Sequence, residues 1–582
     1  MKGFGNNKQL KKRKTYNLKN KNEDYQILNQ AIKFQSNGNL VQAIKCYEFL
    51  IKKGLQESAV FANYGIILIN SGRLQEAIFS IRKAIELNPK DAILHSNLGG
   101  ILKDLGSLKE AEFSIRKAIE LNPKDAILHY NLGTILKDIG NFKEAEVSIR
   151  KAIELNPDYA DAYLNLGVIL KDIGNYKEAE VSTRKAIELN PDSAIAYSNL
   201  GTIFKDLDNL QDAEKFYRKA IKLDPDLAVA YFNLGGIFRE LGKLKYSELL
   251  YHKAIKVKSD YADAYFNLSA LELIQGDYES GLEHYEFREK TKKGLSIQVK
   301  PNIQKADNRK LEKGEKLLVV SEQGLGDTLQ FMRYITFIRN QGVKISFCAP
   351  TKLHSLIQSS GIDKKPLKPE ELSEVSEGKW MPLLSLPRYL KVSPDNPLIS
   401  KPYIFSTNEL KKKWDKILSK EQRPIIGINW QGNPDIENSS LRGRSLPLET
   451  FSIIARNNNF NFLSLQKGFG SEQLESCSFK NKFVQCQSQI DTTWDFLENA
   501  AIIENCDLII TSDTSIAHLA GGMGKQTWLL LHHLSDWRWG LEGQNTFWYP
   551  SMRLFRQKEK YNWQEVFERV SIEITKEMKK NA

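Results

Sequence analysis

The chain has 582 residues, 83 Lys+Arg against 71 Asp+Glu, a formal net charge of +12 and 41% hydrophobic residues. That apolar fraction can bury several cores, which excludes wholesale disorder, and the length corresponds to about four domains of ~150 residues. No run approaches the ~18 apolar residues of a membrane helix, no apolar signal core opens the chain, and its five cysteines form no C-x-x-C pair. The expectation is a cytoplasmic protein without a disulfide framework or zinc site.

Residues 1–22 carry eight basic side chains and no acid, two thirds of the excess charge. This segment reads as a disordered, solvated tail, with an anionic partner such as a nucleic acid as the alternative.

An internal period follows. Asn-Leu-Gly begins at Asn97, Asn131, Asn165, Asn199 and Asn233, each 34 residues after the last. Pro89, Pro123, Pro157, Pro191 and Pro225 keep the same spacing, as do Ala77, Ala111, Ala145, Ala179 and Ala213. Gly and Ala let paired helices approach closely, and Pro stops one unit before the next. The pattern resembles the tetratricopeptide repeat, a helix–turn–helix unit of that length, and predicts an all-α superhelix of about eight repeats over residues 23–290. Seven residues after each Asn stands an acid, at Asp104, Asp138, Asp172, Asp206 and Glu240. Seven residues is nearly two helical turns, so each Asn shares a face with its acid. If that face lines the groove, the amides can bind an extended peptide backbone and the carboxylates would favour basic segments. Alternatively the Asn side chains hold inter-repeat geometry and the acids are merely solvated. Such a face is a poor surface for nucleic acid.

Residues 291–314 are basic and polar and read as a linker. Beyond them strands alternate with helices, first over 315–405 and again over 406–582. Lys316–Ser321 is an apolar strand leading into Gly324, Gly326 and Asp327, and Val343–Ala349 is a second strand. The third glycine of a dinucleotide fingerprint is missing, and the second strand does not end in an acid, so a dehydrogenase is disfavoured. In the second unit strands are expected at Pro424–Trp430, Phe462–Gln466, Asp507–Thr511 and Thr527–Leu531, with Arg442 and Arg444 in a polar loop. The strand at Asp507 runs into Asp513, Thr514 and Ser515 at a helix start, where free N–H groups and the dipole suit a phosphate.

The ordered segments Glu322-Gln-Gly-Leu-Gly-Asp-Thr328, Trp430-Gln-Gly-Asn-Pro434, Arg444-Ser-Leu-Pro447, Leu465-Gln-Lys-Gly468, Asp513-Thr-Ser-x-x-His518 and Asp536-Trp-Arg-Trp539 resemble the C-terminal region of repeat-fused glycosyltransferases. These are related to the ADP-heptose–lipopolysaccharide heptosyltransferases of glycosyltransferase family 9. The resemblance implies the GT-B fold of two Rossmann-like halves and an inverting, metal-independent transfer from a nucleotide-diphosphate sugar, with no further cofactor. By position, Asp327 would be the general base, with helix capping as its structural alternative. Asp513, Thr514, Ser515 and His518 would bind the donor diphosphate, Arg444 and Lys467 would neutralise the leaving group, and Gly324 and Gly326 would open the loop. His518 could instead be a satisfied core histidine. Glu498-Asn499 departs from the Asp-Thr pair expected there, which leaves donor contacts from that helix open. Two functions follow: a glycosyltransferase whose repeats recruit a protein or glycan acceptor, or a non-catalytic interaction scaffold that binds nucleotide.

Overall fold

The computed structural model describes residues 22–581, except for 292–293, 295–300, 308, 435–436, 438–442 and 457–458. The basic tail (save residue 22) and Arg442 lie outside the described residues, as does part of the expected linker. The chain divides into two compact units, Met1–Ile237 and Phe238–Ala582.

Among the described residues the regular elements of the first unit are all helices. A helix over residues 22–36 pairs with Leu40–Lys52, and antiparallel pairs then recur with the 34-residue period, for example Ala126–Ile139 with Phe142–Leu155. Each pair is specified locally. Asp91 and Asp125 cap the first helices by accepting from the N–H groups of Ile93 and Ile127 at 3.0 and 2.9 Å. The periodic Ala77, Ala111, Ala145, Ala179 and Ala213 are fully buried. Gly99, Gly133, Gly167 and Gly201 of the Asn-Leu-Gly series sit where helices touch: a Cβ on Gly133 would lie 2.6 Å from Cδ1 of the buried Ile149. On the surface Arg82 reaches Glu110 at 2.8 Å and Arg150 reaches Glu178 at 2.6 Å, linking successive repeats, and Arg116 does the same with Glu144. These pairs are exposed and contribute only ~0–1 kcal/mol each.

The second unit begins with the last repeat hairpins, including Ala262–Gln275 and Tyr278–Tyr285, closed by a 3-10 turn at Glu286–Lys290. Two parallel sheets follow. β1 (Lys316–Val320), β2 (Lys344–Cys348) and β3 (Lys379–Pro382) form one, in the order β2-β1-β3. β4 (Ile425–Asn429), β5 (Asn461–Ser464), β6 (Leu508–Ser512), β7 (Thr527–Leu531) and β8 (Met552–Arg556) form the other, in the order β5-β4-β6-β7-β8. β3 and β8 were not anticipated. Central strands β4, β6 and β7 are buried along their whole length, as helices on both faces of a parallel sheet require.

The last hairpins share one core with the α/β region. Leu273, Tyr278, Leu282 and Tyr285 cluster with Leu317, Phe331, Trp537 and Trp548. The expected linker is also docked where it is described: Gln304 and Ala306 exchange hydrogen bonds with the backbone of Trp380 in β3, and Leu311 is buried. At this junction Arg288, 2% exposed, donates to Glu322 at 2.9 Å, to Ser385 at 2.8 Å and to Glu286 at 2.7 Å. Burial pushes the Glu322 carboxyl up to about 7, against the pull of Arg288. Glu322 opens the loop after β1, so the end of the repeats holds that loop in place.

Two outcomes follow. Gly133→Val should cost about 1–3 kcal/mol in urea unfolding, because neither the neighbouring helix nor Ile149 has room to retreat. Arg288→Met should cost about 3–5 kcal/mol, because it leaves the Glu322 carboxylate buried without its partner; an unchanged melting midpoint of the second unit would refute this.

Candidate functional site

On the first helices of the repeats, Asn97, Asn131, Asn165, Asn199 and Asn233 are half-buried, whereas Asp104, Asp138, Asp172 and Asp206 are exposed. The Asn165 amide donates to the Tyr130 hydroxyl of the preceding repeat at 2.8 Å, so this residue does hold inter-repeat geometry. Each acid follows a lysine: Lys171 lies 2.6 Å from Asp172, and Lys103 lies 3.6 Å from Asp138 of the next repeat. The carboxylate column is thus interleaved with a cation column. This face offers both signs of charge, not the acidic surface expected for choosing basic segments.

A cleft of about 1210 Å³ opens in the second unit, at the C-terminal ends of β1, β4, β5 and β6. Its wall includes Gly324, Gly326, Asp327, Arg444, Lys467, Asp513, Thr514, Ser515 and His518. The fold therefore brings together the residues that the sequence placed in four separate loops.

Asp327 lies in the first turn of the helix Leu325–Phe331, and its Oδ2 accepts from the N-cap Gly324 N–H at 3.0 Å. It does cap its helix. Its Oδ1 pairs with Arg538, from the turn after β7. Burial raises the Asp327 carboxyl and Arg538 lowers it. Gly326 packs on His518: a Cβ there would sit 2.9 Å from the imidazole Cδ2. Only glycine lets the helix after β1 approach the helix Ser515–Gly522 so closely. His518 is 6% exposed, shares a 2.9 Å hydrogen bond with the Tyr549 hydroxyl, and stacks on Trp539 with ring centroids 5.5 Å apart. Burial, with Arg538 and Arg333 nearby, holds it well below its ordinary value. It therefore meets the cleft as a neutral ring, so it offers a phosphate a hydrogen bond and no charge.

The helix start at Thr514 leaves backbone N–H groups open to the cleft. Thr514 is the N-cap, yet its side chain makes no cap bond and donates to Asn429 Oδ1 at 2.8 Å. The first N–H groups of the helix thus lack a side-chain acceptor. Asn429 in turn donates to Gln466 Oε1 at 2.8 Å, which also accepts from the Gln431 N–H at 3.0 Å. This network ties the ends of β4, β5 and β6 around the helix start. Arg444 lies against Gly432, where a Cβ would be 2.8 Å from its Cζ, and reaches Glu437 at 3.3 Å. Lys467 donates to the Ile490 carbonyl, and burial lowers it to about 8. Burial and the neighbouring Asp536 push Asp513 up to about 6. As a carboxylate Asp513 repels phosphate, so it can serve a diphosphate only as a protonated donor.

Several cleft residues escaped the sequence reading. Arg239, Phe266 and Tyr285 come from the last repeat hairpins. Arg239 stands in the same register as Lys103 and Lys171, a signal that the 34-residue period carries. Trp494, 66% exposed, and Phe469, 58% exposed, lie on the rim. In the departing pair, Glu498 accepts from Trp414 at 3.1 Å, whereas Asn499 lines the cleft. The Asn499 amide donates to the Asp495 carbonyl at 2.8 Å, leaving its buried Oδ1 without a partner. Among the described residues no group of His, Cys, Asp and Glu is arranged to hold a metal ion, and no helix is long and apolar enough to cross a membrane.

Because the folded state favours protonated Asp513, stability should fall as pH rises from about 4 to about 6. Asp513→Asn should then raise stability at pH 7.5 by about 2–3 kcal/mol and change little at pH 4. Thermal melts across that range test this; equal effects at both pH values would refute it.

Two models of the tetratricopeptide repeat match the chain, one at residues 58–91 and 92–125, the other at 126–159, 160–193 and 194–227. No curated protein matches it. Among solved structures, MamA is 27% identical, with 28% of this chain and 94% of that chain covered and a TM-score of 0.27. YrrB, described as a TPR protein with an unusual peptide-binding site, is 26% identical over 32% and 95%, with a TM-score of 0.28. A tetratricopeptide repeat protein from Parabacteroides merdae is 22% identical over 42% and 97%, with a TM-score of 0.38. Residues 58–227 are five consecutive tetratricopeptide repeats forming a helical superhelix, and an α/β region with parallel sheets follows in the same chain.

Proposed function

We propose that the α/β region is a GT-B glycosyltransferase that moves a sugar from a nucleotide-diphosphate sugar to an acceptor hydroxyl, and that the repeats recruit a protein or glycan acceptor. One observation carries this reading: a half-buried carboxylate, Asp327, the start of the helix Ser515–Gly522, Arg444 and Lys467 line a single cleft. The volume supports it as well, since about 1210 Å³ exceeds the ~300–1,000 Å³ of single-ligand pockets and leaves room for two substrates.

In this reading the donor diphosphate lies at the N-terminus of Ser515–Gly522, and the acceptor enters between Asp327 and the last hairpins. Asp327 takes the proton of the acceptor hydroxyl as its oxygen attacks the anomeric carbon. The bond from that carbon to the diphosphate oxygen breaks, and the electron pair leaves with the nucleoside diphosphate. The growing negative charge meets helix N–H groups, Arg444 and Lys467. Attack opposite the leaving group inverts the anomeric centre. The repeats fit the recruiting role because repeat superhelices present extended binding surfaces to protein partners.

The test is incubation of the full chain with a panel of nucleotide sugars, following released nucleoside diphosphate and quenching of Trp494 fluorescence. One donor should turn over, and Asp327→Asn should lower kcat by about 10²–10⁴-fold while donor binding persists. kcat/KM should fall above about pH 8, where Lys467 loses its proton. Saturable binding without turnover on any acceptor would sink the transferase reading and leave a nucleotide-binding scaffold. Full activity in Asp327→Asn would sink the assignment of the base.

A further inference from the structure

We propose that Arg538 is a positioning residue for Asp327, fixing the carboxylate where the two sheet-bearing halves of the α/β region meet. This rests on the transfer reading for its consequence in turnover, and on the geometry alone for its effect on Asp327. Arg538 belongs to the 3-10 turn Trp537–Trp539, which follows β7, and is 8% exposed. Its guanidinium addresses three acceptors at once. Nη2 pairs with Asp327 Oδ1, Nη1 donates to Asp536 Oδ1 at 2.8 Å, and Nε donates to Gln330 Oε1 at 2.6 Å. Gln330 and Asp327 share the helix after β1, so the planar fork grips that helix at two points one turn apart. An ammonium group has neither the fork nor the reach to hold all three acceptors.

The fork is itself held. Its Cζ lies 4.8 Å from the Trp537 ring centroid and 5.4 Å from that of Phe331. Trp537 meets Tyr278 and Tyr285 of the last repeat hairpin edge-on, with centroids 6.2 and 6.0 Å apart. A line of packed groups therefore runs from the end of the repeats through Trp537 and Arg538 to Asp327. With Oδ2 on the Gly324 N–H and Oδ1 on Arg538, the carboxylate has one orientation at the cleft wall.

The groups that face Asp327 define what removal of Arg538 does. They are Arg538 itself, Asp536 from the same loop, Tyr285 from the last hairpin and the neutral His518 beside Gly326. Without the guanidinium, burial and the Asp536 carboxylate, which favour the protonated acid, are opposed only by the backbone N–H groups of Gly324 and Asp327. Arg538→Gln should therefore raise the midpoint at which Asp327 takes up its proton, by at least about one pH unit. Arg538→Lys should keep that midpoint closer to the wild-type value while still losing the fork.

The experiment is an infrared difference titration of the full chain, with the Asp327 carboxyl band identified by its loss in Asp327→Asn. Wild type, Arg538→Gln and Arg538→Lys are compared, with melting curves as the folding control. The donor identified by the sugar panel is then used for kcat and KM. An upward midpoint in Arg538→Gln, with an acidic limb of kcat/KM displaced by the same amount and KM for the donor unchanged, is expected. Arg538→Lys should show about 10–100-fold lower kcat near the wild-type midpoint. An unmoved midpoint in a folded Arg538→Gln overturns the proposal, whether or not any donor turns over. If Arg538→Gln does not fold, wild-type kcat in Arg538→Lys overturns it. A shifted midpoint in a protein that transfers no sugar leaves the positioning role standing and refutes the transfer reading instead.

Discussion

A buried guanidinium organises the second unit. Arg288 ends the last repeat hairpin and donates to Glu322, Ser385 and Glu286 with 2% of its surface exposed. Removing two charges from water costs several kcal/mol per ion, and these hydrogen bonds offset much of it, with the buried Arg288 Nε and Glu322 Oε2 left without a partner. The same bonds force the end of the helical array, the loop after β1 and the turn at Leu383–Ser385 into one arrangement. The Arg288 guanidinium lies 4.9 Å from the Tyr285 ring centroid, and Tyr285 meets Trp537 edge-on. The loop that carries Gly324, Gly326 and Asp327 is therefore shaped by side chains that belong to the repeats.

The two sheet-bearing halves meet through groups too tightly placed to drift. Gly326 accepts the imidazole of His518 in the space a Cβ would occupy. Arg333, also buried, donates to the Trp548 carbonyl at 2.8 Å and to the Tyr403 hydroxyl at 3.0 Å, joining the helix Arg333–Asn340 to the segment before β4 and the loop between β7 and β8. Within the second half, Gln466 gathers Asn429, Trp430 and Gln431 onto one oxygen, which leaves the Thr514 hydroxyl bound to Asn429 and the helix start open. Polar networks of this kind specify geometry because a partly satisfied one is costly in a low-dielectric interior.

Periodicity and strand chemistry were legible from residue order. The 34-residue period located the helical pairs, and apolar runs such as Pro424–Trp430 and Asp507–Thr511 located strands that are buried throughout. β3 and β8 escaped for physical reasons. β3 is four residues ending in Pro382, and β8, Met-Arg-Leu-Phe-Arg, places charges where a buried parallel strand has none. β8 tolerates them because it is an edge strand, with Arg553 reaching Glu573 at 2.6 Å. Part of the segment read as a linker is hydrogen-bonded alongside β3, a pairing that its polar composition conceals.

The candidate site divides in the same way. Gly324, Gly326, Asp327, Thr514 and Ser515 were visible because turns and helix starts follow strands at short range, and local rules govern them. Arg538 was visible as a residue and its role was not, since its partners Asp327 and Gln330 lie more than 200 residues away. The charge of the face carrying the acids was misjudged from one column, because the lysines that accompany the acids matter only once helices are placed side by side. Sequence by itself determined the repeating helices, the alternation of strands and helices, and the loops that can bind an anion, all of which follow from short-range periodicity and backbone chemistry. Tertiary structure alone decided which charges face one another, which histidine is neutral, and that the last repeats wall the cleft. Those properties depend on burial and on distances between residues far apart in the chain, which residue order does not encode locally.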